Sequence, residues 1–181
     1  MTEAMLARLS KRFPRFDPQS TPLKAVAVNA LYHTHVLAIE RIAAHVSFVL
    51  RSVDVPKGSP DLVERLAYPG PRSKGESKQR RNLSFASKFA HFFIDSDRFP
   101  IFDNRVRVML AVHLGRGMVR NTEHPYVGFL ANLSEFRQRF EWTGKARDLD
   151  RYLWLAESIR APRACPEITY PLMFIAAPCA A

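Results

Sequence analysis

A chain of 181 residues that is 47% hydrophobic and 24% charged has enough apolar material to bury one core, which excludes wholesale disorder. Lysine and arginine outnumber aspartate and glutamate by 27 to 17, a formal charge of +10 that favours polyanionic partners, nucleic acid first among them. Cys165 and Cys179 are the only cysteines, so neither a disulfide framework nor a four-cysteine metal or iron–sulfur site can be built.

The opening "MTEAMLARLSKRF" lacks the apolar core of a secretory signal, and no apolar run approaches the roughly 20 residues that span a bilayer. A cytoplasmic protein that does not enter the membrane is expected. Residues 2–13 have the period of a short amphipathic helix that stops before Pro14, and "PRFDPQSTP" then reads as a connector. The spacing from 23 to 53 predicts one long helix, apolar nearly all round and therefore central. "GSPDLVERLAYPG" predicts a helix of one or two turns with Ser59 as its cap and Pro60 at its first position. The polar, basic "PRSKGESKQRRN" is an exposed loop. Asn82 or Ser84 caps a helix that runs to about Phe93 and is ended by "DSDRFP". Asp103 caps the next helix, "NRVRVMLAVHLG", which stops at Gly115 and Gly117. Helical segments follow near 126–140 and 148–159. Strand alternation and tight hairpin turns are scarce, so the fold class is all-α, with one compact helical domain over 1–160 and a proline-rich tail, 161–181, that shows no period.

One lysine stands out in "NLSFASKFAHFFIDSDRFPIFDNRV". Lys88 lies mid-helix with Phe85 and Phe92 on its face at helical spacing, where loss of water favours a neutral, nucleophilic amine. Asp103 opens the following helix across a short turn, a position from which its carboxylate can face the lysine. The structural alternative is ordinary: an apolar-faced lysine usually extends its ammonium to water, and an aspartate before a helix is usually a cap.

This order of residues, a lysine on one helix and an aspartate after a proline and apolar residues, resembles the active site of helix-hairpin-helix DNA glycosylases over about 83–108. The "FASK" turn at Phe85–Lys88 is most similar to the 8-oxoguanine glycosylase (OGG-like) branch. The resemblance implies a helix-hairpin-helix glycosylase fold, although the family's Gly-x-Gly turn is missing from "RRNLSFASK". It further implies excision of a damaged or modified base such as 8-oxoguanine from DNA, duplex or single-stranded, with base-excision repair as the setting. Lys88 would be the nucleophile that forms a Schiff base and permits strand cleavage (AP lyase activity), with Asp103 its electrostatic partner. No metal or organic cofactor is implied.

Basic residues flank the motif. Lys78, Arg80, Arg81, Arg105 and Arg107 are expected to contact phosphates, with Ser84 helping where the glycine hairpin is absent. Phe85 and Phe102 are candidates to stack on an extruded base, and His91, three residues after Lys88, is a candidate substrate contact. His33 and His35, two apart, are a poor metal pair, and Ser87 lacks the Ser-x-x-Lys spacing of serine enzymes. The rival function is a non-catalytic, basic helical module that holds nucleic acid, of the kind used in defence or toxin systems.

Overall fold

The computed structural model describes residues 1–52, 59–68, 81–115 and 124–160. Among them the chain is helical throughout: α1 (Thr2–Arg12), α2 (Ser20–Tyr32), α3 (Ile39–Ser52), α4 (Asp61–Ala67), α5 (Leu83–Phe93), α6 (Asn104–His113), α7 (Pro125–Arg139) and α8 (Ala146–Arg160). No strand occurs in the described residues, and none of their helices is long and apolar enough to cross a membrane. Lys78 and Arg80, with the rest of the basic loop from Arg72 to Lys74, with Arg116 and Arg120, and with the tail 161–181, lie outside the described residues.

The all-α expectation holds, and the reason is local. Each helix carries an apolar stripe too narrow to be buried by anything but other helices. α5 is the axis of the arrangement: α1, α2 and α4 pack on it, α2 pairs with α3, and α6 lies between α7 and α8. Of its eleven residues only Ser84 and Phe92 are not fully buried. Phe89 sits at the centre of an aromatic row with Phe16, Phe85 and Phe93, at centroid distances of 6.1, 6.0 and 5.1 Å. A single apolar core runs from Leu6 of α1 to Leu153 of α8, one compact domain among the described residues.

The long helix expected over 23–53 is two helices. α2 ends at Tyr32, α3 begins at Ile39, and His33 and His35 between them have left-handed backbones, with φ of 46° and 54°. Neither glycine nor proline marks this break. Asn29 makes it: its Oδ1 accepts from Thr34 Oγ1 (2.8 Å) and Val36 N (3.0 Å), and its Nδ2 donates to Val36 O (3.1 Å). Histidine tolerates the left-handed region better than most side chains, so the turn costs less than it would with branched residues. Asn29→Ala removes all three bonds and strands Val36 N and O, both at a buried residue. A loss of about 1–3 kcal/mol in urea unfolding is expected, with the m value unchanged.

Caps differ from expectation at α5. Neither Asn82 nor Ser84 caps it with a side chain; the Asn82 amide instead donates to Ala67 O at 3.0 Å, joining the end of α4 to the start of α5. At α4 the Ser59 hydroxyl likewise makes no bond to the helix backbone and donates to Asp61 Oδ2. Asp103 does cap α6, accepting from Arg105 N at 3.0 Å.

Candidate active site

Lys88 and Asp103 meet. Lys88 Nζ donates to Asp103 Oδ2 at 3.1 Å and to Ser84 Oγ, one turn earlier on α5, at 2.7 Å. The lysine side chain is 6% exposed and the aspartate 26%, so the ammonium is enclosed while the carboxylate reaches water.

The aspartate is held there by the segment 99–103, which is bolted to α5 and α7. Ser87 Oγ accepts from Phe102 N at 2.9 Å. The His91 Nδ1–H donates to Phe99 O at 3.1 Å, a bond the neutral ring can make, and burial pushes the imidazolium form of His91 down. Tyr126 of α7 donates its hydroxyl to Pro100 O at 2.9 Å. Three side chains thus fix one short stretch of backbone, and Asp103 arrives with Oδ1 committed to the helix cap and Oδ2 to the lysine.

A cleft of about 530 Å³ opens over the pair. Tyr32 of α2 forms one wall; Arg147, Asp150 and Trp154 of α8 form another. Tyr32 is braced by Phe92 (ring centroids 5.0 Å apart), and the Arg147 guanidinium lies 5.9 Å from the same Phe92 ring. Arg147 also bonds Asp150 on its own helix and Glu3 of α1, and Arg151 bonds the other oxygen of Glu3 at 2.8 Å. Salt links to Arg147 and Arg151 outweigh the burial of Glu3, whose carboxyl is lowered. Asp150 goes the other way. Burial dominates, the Asp103 charge adds to it, Arg147 and Lys88 offset part, and its carboxyl is pushed up to about 6.

The remaining sequence candidates fall elsewhere. Phe85 and Phe102 were expected to stack on a base, yet both are buried core: Phe85 packs on Phe89, and Phe102 packs on Phe129 and Tyr126. His91 is buried and engaged with Phe99 O, so it too is not a substrate contact; none of the three lines the cleft. The Ser84 hydroxyl accepts from Lys88 Nζ. Arg105 is drawn onto α8, with Nη1 on Ser158 Oγ at 3.0 Å, Nε 3.7 Å from Glu157 and the guanidinium over the Trp154 ring at 4.8 Å. Arg107 lies over the Phe102 ring at 4.5 Å, and Arg81 is exposed at the start of α5. Among the described residues no three His, Cys, Asp or Glu side chains converge on a metal position.

Tyr32, Arg147, Asp150 and Trp154 were not singled out by the sequence. Their partners in the cleft lie tens of residues away, and the one available signal, two acidic residues and two arginines in the first turns of α8, reads equally as a solvated helix face.

No curated protein and no solved structure matches the chain. One family model does match, HI_0787_N, described as an N-terminal domain, over residues 1–97. It is a different family from the helix-hairpin-helix glycosylases, so the resemblance to them and to their 8-oxoguanine branch is withdrawn. A lysine inside one helix and a capping aspartate at the next is a short pattern that any tight pair of helices can carry. The match includes Lys88 and ends before Asp103 and α8. It spans more than half of the 181 residues, and on that ground the chain belongs to the HI_0787_N N-terminal-domain family.

Proposed function

We propose that the protein is a lysine-dependent DNA glycosylase, acting on a damaged or modified base through a Schiff base to Lys88 and, where the sugar then eliminates, nicking the strand as a lyase. The proposal is independent of family membership. It is carried by one observation: an enclosed lysine amine, 3.1 Å from a carboxylate, on the wall of a cleft large enough for a nucleotide.

In this reaction the lysine amine attacks C1′ of a nucleotide turned out of the stack, and the bond from C1′ to the base breaks. Asp103 opposes the positive charge that develops on the sugar and keeps Nζ pointed at the cleft. Tyr32 and the exposed indole of Trp154 offer aromatic faces to an unstacked base. The net charge of +10 draws the protein to DNA. Oxidised guanine was implied only by the withdrawn resemblance and enters now as one probe among several.

Borohydride trapping tests the proposal. Wild-type protein is incubated with duplex and single-stranded oligonucleotides that contain 8-oxoguanine, uracil or an abasic site, beside Lys88→Gln. A covalent adduct that requires Lys88 is expected on at least one substrate; an absence of adduct on all of them, with Lys88→Gln and wild type alike, defeats it.

The second reading is a module that binds nucleic acid without chemistry. The observation in its favour is that the Lys88–Asp103 contact already satisfies both charges as a structural ion pair. It expects salt-dependent duplex binding, unchanged by Asp103→Asn, and no product.

A further inference from the structure

The cleft holds a second carboxylate. Asp150 comes from the second turn of α8; its side chain is 11% exposed, and its Oδ2 accepts from Arg147. The charged and titratable groups around it come from every element that encloses the cleft: Arg147 and Arg151 on its own helix, Lys88 on α5, Asp103 ahead of α6, and Tyr32 and His33 at the end of α2, with Glu3 of α1 bonded to both arginines; Asp97, Arg98 and Arg137 line a neighbouring cavity that Asp150 also borders. Two features make this more than a buried ion pair. Asp150 shares the cleft with an amine that must lose a proton before it can attack. Burial also pushes its carboxyl up to about 6, within reach of both protonation states near neutral pH.

The geometry points to Asp150 as the proton-transfer residue of the lysine chemistry, taking the proton that Lys88 gives up and delivering it to the departing base. This rests on the glycosylase proposal. The Asp150 carboxylate first accepts a proton from the Lys88 ammonium. As Nζ bonds to C1′, the bond from C1′ to the base nitrogen breaks, its electron pair stays on that nitrogen, and the Asp150 proton goes to it. The adduct nitrogen, now positively charged, passes one proton through the regenerated carboxylate to O4′ as the C1′–O4′ bond opens to the iminium. Water then adds to the iminium carbon and releases the sugar aldehyde and the Lys88 ammonium, which closes the proton count. Arg147 keeps the carboxylate turned toward the cleft and is a positioning residue.

The experiment uses the full chain as wild type, Asp150→Asn and Asp150→Glu, with two readouts. One is single-turnover excision from duplexes carrying 8-oxoguanine or uracil; the other is borohydride trapping on an abasic-site duplex, which has no base to protonate. Excision by Asp150→Asn should fall by about 100-fold or more, trapping by less than about tenfold, and Asp150→Glu should recover part of the excision. The wild-type excision rate should bend near pH 6, and Asp150→Asn should lack the bend. Excision by folded Asp150→Asn at the wild-type rate overturns the assignment and leaves the lysine chemistry standing. Trapping of abasic DNA without excision of either base does the same, because the assigned step needs a leaving base. A wild-type protein that neither excises nor traps overturns both. Should circular dichroism show Asp150→Asn unfolded, the wild-type profile decides, and a flat rate from about pH 5 to about 7 overturns the assignment.

Discussion

Asp103→Ala should unfold at distinctly lower urea than wild type, with a loss of about 3 kcal/mol, while Asp103→Asn should lose only about half of that. The aspartate has two separable jobs. Oδ1 caps α6 through Arg105 N, and Oδ2 faces the enclosed Lys88 ammonium. Alanine removes both and leaves a lysine that is 6% exposed with only Ser84 Oγ. Removing one member of a buried pair costs about 3–5 kcal/mol, and the low end applies because Asp103 is a quarter exposed to water. Asparagine keeps an oxygen for the cap and loses only the charge. The opposite partner costs less: Lys88→Met should lose about 1–2 kcal/mol, because the carboxylate it leaves behind is a quarter exposed to water and keeps its bond from Arg105 N. The same change should abolish borohydride trapping. A folded Lys88→Met protein devoid of adduct would separate chemistry from folding at this one residue.

Phe89→Ala should be the most damaging change in the core, at about 3–5 kcal/mol in urea unfolding. The ring is fully buried and lies against Phe16, Phe85 and Phe93, so its loss opens a cavity that α5 cannot close without moving. Phe89 follows Lys88 directly in sequence and does not line the cleft. Its truncation should therefore lower stability far more than it lowers the per-molecule yield of trapped adduct measured well below the unfolding midpoint. Leu or Met at 89 should recover most of the loss.

The helices were legible in the sequence where a period met a recognisable end. α1 stops before Pro14, and α6 starts at the Asp103 cap. The break between α2 and α3 was not legible, because its instruction is carried by the Asn29 side chain reaching seven residues ahead, in a stretch with no glycine or proline. The approach of Lys88 to Asp103 was legible from the short connection between their helices, but not its cause: α5 and α6 are not a packed pair, and Ser87, His91 and Tyr126 hold the connection in place. The rest of the cleft did not follow. Tyr32 and Trp154 reach it from opposite ends of the chain, and Arg147 bonds a glutamate 144 positions away. Apolar period also says that Phe85 and Phe102 are buried without saying which face looks onto a cavity, and both turned out to face the core.

The link from Glu3 to Arg147 and Arg151 has a consequence for the order of assembly. It ties α1 to α8, the first and last helices among the described residues, a contact that no growing chain can make until α8 has been synthesised. Lys88 is translated long before that, and α1, α2, α4 and α5 have the local contacts to pack early. The wall of Arg147, Asp150 and Trp154 can therefore face the amine only once α8 has been made. The Lys88–Asp103 pair is thus complete in the chain before the wall that faces it, and the cleft is a product of the last docking event and not of the pair itself.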